Sequence, residues 1–259
     1  MKQATTLFLH GGPGLSAIVE RALYGETLPV VWWDQPRCEV LFARPYQALL
    51  DDVALEAEHL ASRGGGKINL LAHSFGAHLA LYLAMLMPER IGSITLLAPV
   101  FNPADALTRV GEHLTYLAPD RGSLRDALVS NREQNSFDSF WTLVERILEV
   151  PGFLDVYWGP ESHERRRWFL SLIEREPWLD INTLRTILLD YWAGRALTVR
   201  TTVRGPVGLV FGVHDVLVDA AQEAVAWKRY FPQATSRQLN AGHFVHLETP
   251  PHLWLPGRT

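Results

Sequence analysis

Three residues that lie far apart in the chain could together carry out nucleophilic catalysis. Ser74 is in the segment Ala72-His73-Ser74-Phe75-Gly76, where an apolar run gives way to a helical pattern. Asp215 and His243 each follow a later predicted strand. A histidine can take the proton of a serine hydroxyl, and a carboxylate can hold that histidine in the required tautomer. The chain order Ser74, Asp215, His243 predicts a catalytic triad of one hydrolase class.

A glycine-rich segment could supply a second part of such a site. The residues from His10 to Gly14 read HGGPG and follow the first apolar run directly. Backbone N–H groups in a loop of this kind can stabilise a developing oxyanion. Pro13 has no N–H, so Gly12 is the donor expected from this loop, paired with the N–H of Phe75 in an oxyanion hole. A flexible turn is the simpler alternative, and phosphate-loop spacings are absent from the sequence.

Other titratable residues near these positions are assigned structural roles. Asp219 could be the acid, but we expect it to cap the following helix, and Asp105 is a further alternative. We expect His73 to be a buried structural histidine, and His246 to be structural although it could lean on the site. His214 has no third ligand nearby in the sequence, so no metal site is predicted.

Short apolar runs predict the strands that must position these residues. Continuous runs of this length are typical of parallel strands that are buried on both faces. Helical patterns alternate with them, as over Pro45–Arg63 and Val218–Tyr230. The alternation predicts an α/β fold with a doubly wound, mostly parallel sheet. The predicted strands are Thr5–Leu9, Pro29–Asp34, Lys67–Ala72, Ser93–Pro99, Val207–Phe211 and Thr235–Asn240.

The alternation stops between Phe101 and Arg204. This stretch holds 13 of the 27 aromatic residues and several prolines that break its helical patterns. We therefore predict that residues 101–204 form a helical cap, inserted into a core domain of residues 1–100 and 205–259. Most of its tryptophans should pack in the cap itself, and Trp141, Trp168 and Trp192 are candidates to contact a substrate.

Composition limits the classes of protein that are possible. The chain has 259 residues, 47% of them apolar, and a net charge of −4, which gives no reason to expect nucleic acid or an anionic membrane as partner. The uncharged run from Ile68 to Pro88 is interpreted as strand, turn and helix rather than as a membrane span. Cys38 is the only cysteine and is interpreted as an apolar filler. We expect a cytoplasmic protein, because the N-terminal apolar run is too short for a signal peptide.

The motifs together resemble the α/β-hydrolase superfamily, from Thr5 to about Pro250. The residues that carry the resemblance are HGGPG, the pair Asp34-Gln35, the serine turn and the segment GHFVHLE at 242–248. The first two are similar to the proline iminopeptidase branch. That branch continues Asp-Gln with Arg-Gly-Cys-Gly, where this chain has PRCE. Of its Trp-x-x-Trp-Glu motif the chain keeps Trp141 and Glu145, so the resemblance implies that Glu145 could bind a substrate amino group.

The residues and the resemblance predict a serine hydrolase. It would cleave a small ester or amide, or a short peptide, through an acyl-enzyme and without a cofactor. Removal of an N-terminal residue such as proline is one alternative, and hydrolysis of a carbon–carbon bond in a diketone is another. A ligand-binding protein that keeps the fold without catalysis is the alternative from a different class. The cap is expected to set the specificity.

Overall fold

A parallel sheet of six strands forms the centre of the structure, a computed structural model that describes residues 5–37, 43–63, 65–118, 121–194 and 201–255. The strands are β1 (Thr5–Leu9), β2 (Val30–Trp33), β3 (Ile68–His73), β4 (Ile91–Leu97), β5 (Val207–Gly212) and β6 (Thr235–Leu239). Their order in the sheet is β2-β1-β3-β4-β5-β6. The prediction for Cys38 falls outside the described residues.

Helices cover both faces of this sheet. The described helices outside the stretch between β4 and β5 are α1 (Ile18–Tyr24), α2 (Pro45–Arg63), α3 (Gly76–Leu86), α9 (Ala220–Lys228) and α10 (Val245–Glu248). Successive side chains of a strand point to opposite faces. In β1, Leu7 and Leu9 pack in the cluster formed with α2 and α3, whereas Phe8 packs in the cluster formed with α1 and α10.

This architecture confirms the predicted α/β fold class with its doubly wound parallel sheet. The predicted strand ends agree with the observed ones to within two residues. The prediction for β6 is wrong in one respect, because most of this strand is exposed rather than buried. It lies at the edge of the sheet and pairs with β5 alone, so its side chains meet solvent.

The described part of the stretch predicted as a cap holds five helices between β4 and β5. We call the described residues between 101 and 204 the helical insert. Pro103 occupies the first turn of its first helix, where the side chain of Asn102 caps the N-terminus. A 3₁₀ turn covers Phe153–Tyr157. The helices are α4 (Pro103–Leu117), α5 (Gly122–Gln134), α6 (Phe137–Leu148), α7 (His163–Ile173) and α8 (Ile181–Ala193).

The insert contacts the glycine-rich loop that follows β1. Leu15 and Leu179 form an isolated antiparallel bridge, and the N–H of Asp180 donates to the carbonyl of Gly14 at 2.7 Å. Gly14 has a φ of +85°, and a Cβ there would lie 2.5 Å from the Asp180 oxygen. Only glycine therefore allows this approach of the two backbones.

The long uncharged segment of the sequence forms a strand of the sheet and the helix that follows it. The run from Ile68 to Pro88 forms β3, a tight turn, α3 and the first residue of a 3₁₀ turn. Among the helices that the structure describes, none is long and apolar enough to cross a membrane.

Candidate active site

Ser74 lies in a tight turn between β3 and α3. Its φ of 52° is in the left-handed region, which costs a residue with a side chain on the order of 1 kcal/mol. The backbone N–H donates to the carbonyl of Leu97 on β4 at 2.9 Å. A Cβ at Gly76 would lie 2.4 Å from the carbonyl oxygen of Leu9, so the turn needs glycine at that position. The turn holds the serine hydroxyl beyond the carboxyl end of β3.

His243 and Asp215 complete a chain of hydrogen bonds to this hydroxyl. Nε2 of His243 lies 2.9 Å from Oγ of Ser74, and its Nδ1 lies 2.8 Å from Oδ2 of Asp215. The histidine side chain is 2% exposed and the carboxylate is fully buried. The other carboxylate oxygen accepts the N–H of Leu217 at 2.8 Å, which fixes its orientation. The structure thus brings together the three residues predicted from the sequence.

The alternative acids occupy other positions. Asp219 caps α9 by accepting the N–H of Gln222 at 3.1 Å, and this backbone hydrogen bond lowers the pKa of the carboxyl. Asp105 is exposed in the first turn of α4. His214, next to the acid in sequence, shares a hydrogen bond of 2.9 Å with the side chain of Asn240.

A second histidine–carboxylate pair lies behind the first. Nε2 of His246 is 2.8 Å from Oε1 of Glu20, and both side chains are buried. The ring of His73 lies 4.5 Å from that of His246 and 5.0 Å from that of His243, measured between centroids. Nε2 of His73 donates to the carbonyl of His243 at 3.1 Å. Burial lowers the pKa of His73 well below its usual value, so this ring is neutral.

The glycine-rich loop lies over the serine turn. A Cβ at Gly11 would be 2.6 Å from Nδ1 of His73, which shows how closely the loop approaches β3. Gly12 has a φ of +47° and lines the same cavity as Ser74. Phe75 precedes the first residue of α3, where backbone N–H groups have no partner within the helix. Gly12 and Phe75 therefore both border the space in front of the serine hydroxyl.

The pair Asp34-Gln35 supports this loop. The N–H of Gln35 donates to Nε2 of His10 at 3.3 Å. Asp34 accepts the N–H of Ala17 at 2.7 Å and forms an ion pair with Arg21. These contacts connect the loop after β2 to the residues on either side of the glycines.

An apolar cavity of about 140 Å³ opens beside Ser74. Among the described residues that line it, none is Asp, Glu, Lys or Arg. More than half of the lining comes from the helical insert. These residues are Pro103, Ala106, Leu107, Val144, Ile147, Leu148, Phe153, Leu154, Tyr157, Trp178, Leu179, Leu184 and Leu188.

The predicted substrate-contacting residues of α6 do not line this cavity. Nε1 of Trp141 donates to Oε1 of Glu145 at 2.7 Å, and Glu145 is exposed. Val144 and Ile147, on another face of the same helix, line the cavity instead. Each helical residue is rotated by about 100° from the one before, so Val144 and Glu145 cannot point the same way.

The other two predicted tryptophans also lie outside the cavity lining. The ring of Trp192 stacks on Phe140 at 5.2 Å between centroids. Trp168 lies under the guanidinium of Arg165, which is 5.5 Å from its ring centre. Trp178, which was not singled out, lines the cavity. Aromatic enrichment of the insert thus reflects its packing more than its contribution to the cavity.

Sequence reasoning missed Glu248, which connects the histidine loop to the insert. Its carboxylate accepts the N–H of Gly242 at 2.9 Å, the N–H of Gly159 at 2.8 Å and the hydroxyl of Ser162 at 2.5 Å. Burial raises the pKa of this carboxyl. The signal was present, because Glu248 ends the segment GHFVHLE.

Tyr157 was missed as well, and it forms the second part of this connection. Its carbonyl accepts the backbone N–H of His243 at 2.7 Å, and its ring packs edge-on against the histidine ring at 5.6 Å. A Cβ at Gly242 would lie 2.5 Å from the Tyr157 oxygen. The insert therefore holds the histidine loop through backbone contact.

Comparisons of sequence and of structure identify proteins that are similar to this chain. A probable aminopeptidase from Bacillus subtilis (strain 168) is 21% identical over an alignment of 281 residues, which covers 96% of this chain and 86% of that protein. The crystal structure of a proline iminopeptidase-related protein from Thermus thermophilus has a TM-score of 0.63 at 25% identity, covering 98% of this chain and 87% of that one.

A solved esterase structure shows that the fold is shared more widely. The thermophilic esterase from Thermogutta terrifontis has a TM-score of 0.57 at 18% identity, covering 97% of this chain and 87% of that one. The sequence model of the alpha/beta hydrolase fold matches residues 7–250. That match spans the sheet, the serine turn, the insert and the histidine loop, and the chain therefore belongs to the α/β-hydrolase family.

Proposed function

We propose that the protein is a serine hydrolase that cleaves an ester or an amide through an acyl-enzyme. The observation that carries the proposal is the continuous chain from Ser74 Oγ through both ring nitrogens of His243 to Asp215, with distances of 2.9 and 2.8 Å. These bonds are buried, and the hydroxyl faces a cavity large enough for a small substrate group.

Acylation uses each residue at a defined atom. Oγ of Ser74 attacks the substrate carbonyl while Nε2 of His243 takes the hydroxyl proton. Asp215 keeps the proton on Nδ1 and stabilises the imidazolium that forms. The carbonyl oxygen becomes an oxyanion, which accepts hydrogen bonds from the N–H groups of Gly12 and Phe75. Nε2 then gives its proton to the leaving alcohol or amine as the bond to it breaks.

Deacylation repeats these steps with water. Nε2 of His243 takes a proton from water, and the resulting hydroxide attacks the acyl carbon on Ser74. The tetrahedral oxyanion again accepts the N–H groups of Gly12 and Phe75. Collapse of this intermediate returns the proton to Oγ and releases a carboxylic acid, so no cofactor is consumed.

An aminopeptidase is the second candidate. It is favoured by the names of two relatives, the probable aminopeptidase of Bacillus subtilis and the proline iminopeptidase-related protein of Thermus thermophilus. The two candidates share the chemistry at Ser74 and differ in the substrate. An aminopeptidase binds a free α-amino group next to the reacting carbonyl, whereas an esterase does not need one.

A fluorophosphonate probe tests the shared chemistry. We expect covalent labelling of Ser74, detected by mass spectrometry of the peptide that contains it, and loss of labelling in Ser74→Ala. A panel of p-nitrophenyl esters and prolyl-naphthylamide then separates esterase from aminopeptidase. An unlabelled wild-type protein that turns over none of these substrates would contradict the proposed function and would favour a ligand-binding role.

A further inference from the structure

Among its described lining residues, the cavity beside Ser74 offers no countercharge to an ionic substrate group. Its polar lining includes His73, Tyr157 and His243, and the first two are neutral because burial lowers the pKa of the histidine and raises that of the tyrosine. The carboxylate of Asp215 bonds to His243 and Leu217 and is not among the lining residues. An ammonium group that entered would lose its hydration without gaining an anionic partner, which is strongly unfavourable.

The volume of the cavity limits the size of the group that it accepts. Its volume is about 140 Å³. An engineered apolar cavity of about 150 Å³ in another protein binds benzene, so the two cavities are similar in size. A phenyl ring or a cyclopentyl ring therefore fits, and a long alkyl chain does not fit entirely inside.

Helix α6 cannot supply a carboxylate to this cavity. Val144, Ile147 and Leu148 lie on the face that lines it. Glu145 is exposed and bonded to Trp141, so bringing it to the cavity would require breaking that bond and rotating the helix.

We infer that the acyl group that Ser74 receives is compact, apolar and uncharged, of about the size of a phenyl or cyclopentyl ring, and that a free α-amino group is excluded. This rests on the proposed function. The acyl group is assigned to the cavity because it stays on the serine after the first step, whereas the leaving group must reach solvent. Because an aminopeptidase must bind a free α-amino group, this inference argues against the aminopeptidase candidate.

Two methyl esters of the same shape test the exclusion of charge. Methyl cyclopentanecarboxylate and L-proline methyl ester differ by a ring CH₂ in place of a charged NH₂⁺. Hydrolysis at pH 7 is measured by titrating the released acid at constant pH. We expect kcat/KM to be at least tenfold higher for the carbocyclic ester. Equal values, or faster hydrolysis of the proline ester, would overturn the inference.

Two isomeric esters test which side of the substrate occupies the cavity. Methyl phenylacetate carries its ring on the acyl side, and benzyl acetate carries it on the alcohol side. We expect at least a tenfold higher kcat/KM for methyl phenylacetate. Equal values or a preference for benzyl acetate would show that the cavity does not select the acyl group.

Substitutions in the helical insert test whether the cavity selects the acyl group of the substrate. Ala106→Leu should fill part of the cavity and reduce kcat/KM for methyl cyclopentanecarboxylate at least tenfold, with methyl acetate changed less than threefold. If this variant does not fold, Leu148→Phe at a half-buried position makes the same test. Equal losses on both esters would contradict the location of the acyl group.

The exposed Glu145 provides the matched control. Glu145→Gln should leave the ratio between the carbocyclic and proline esters unchanged, and a selective loss of proline ester hydrolysis would assign the ammonium to Glu145 and overturn the inference. Failure of the proposed function is seen separately, because hydrolysis would then persist in Ser74→Ala. A labelled Ser74 with a preference for the proline ester would refute the inference alone.

Discussion

Two histidine–carboxylate pairs lie side by side in this protein and have different surroundings. His243 with Asp215 and His246 with Glu20 both form hydrogen bonds of 2.8 Å, and the two histidines are three positions apart in sequence. The second ring nitrogen of His243, Nε2, lies within hydrogen-bond distance of the hydroxyl of Ser74. The second ring nitrogen of His246, Nδ1, is buried and has no hydrogen-bond partner among the described residues.

The difference shows what turns such a pair into a site. Burial and a carboxylate partner are common to both pairs, so neither property distinguishes the candidate catalytic pair from the other. The pair with Asp215 has a nucleophile on the other ring nitrogen and a cavity in front of it. The pair with Glu20 connects α1 to the segment after β6 and packs against the apolar ring of Phe8.

The largest effect is expected from removing the charge of the first pair. Asp215→Asn should keep the fold and lower kcat by about 10⁴, the scale seen for this change in another serine triad, because the histidine loses its orienting anion. Ester hydrolysis with circular dichroism of the same samples measures both quantities. The matched change Glu20→Gln should alter kcat less than tenfold, and a comparable loss in both variants would abolish the distinction between the pairs.

A moderate effect on stability is expected from the second pair. Glu20→Leu leaves Nε2 of His246 buried without an acceptor, which should lower the free energy of unfolding by about 1–3 kcal/mol. Glu20→Gln keeps an acceptor oxygen and should recover most of that loss. Urea denaturation of the variants measures the difference. A Glu20→Leu protein as stable as the wild type would show that the pair does not stabilise the fold.

The smallest effect is expected at His78, a buried histidine that bonds to a backbone carbonyl rather than to a carboxylate. Nε2 of His78 donates to the carbonyl of Val100, and burial lowers the pKa of His78 to about 4. Between pH 6.5 and 4 the unfolded chain binds a proton that the folded state does not, so stability falls as pH falls. His78 should contribute about 1 kcal/mol of this loss between pH 6.5 and pH 5.5, because the unfolded histidine is half protonated at pH 6.5 and the limiting slope is about 1.4 kcal/mol per pH unit.

His78→Gln isolates this contribution. The stability of the wild type relative to the variant should decrease from pH 6.5 to pH 5.5, as measured by urea denaturation at each pH. The same substitution at the exposed His252 is the control and should leave the pH dependence of unfolding unchanged. An identical pH dependence in wild type and His78→Gln would mean that His78 is not buried in its neutral form.

The first pair could be predicted from the sequence, whereas the second could not. Asp215 follows a local apolar run and His243 follows a predicted strand of mixed polarity, and the carboxyl ends of parallel strands meet at one edge of a sheet. Glu20 lies on the short helix α1, 226 residues from its partner in the sequence. Nothing in the local pattern around Glu20 indicates that His246 is its partner.

The cavity could not be predicted for a different physical reason. A helical pattern gives the spacing of apolar residues, but the packing of helices on one another decides which face meets the site. In the insert, Trp178 faces the cavity whereas Trp141 and Trp192 pack among other aromatic rings. The exposure of β6, in contrast, could have been read from its sequence, because four of the five residues in TSRQL are polar.

The backbone contact between Tyr157 and His243 limits how this protein can diversify. The N–H of His243 is bonded to the carbonyl of Tyr157 in the insert, and Gly159 and Gly242 allow the two segments to touch. Recombination that replaced all of residues 101–204 would leave that N–H without its acceptor. New specificities should therefore arise by exchanging α4, α6 and α8 while the stretch 157–162 is inherited with the histidine loop, and grafts designed with that boundary should retain turnover.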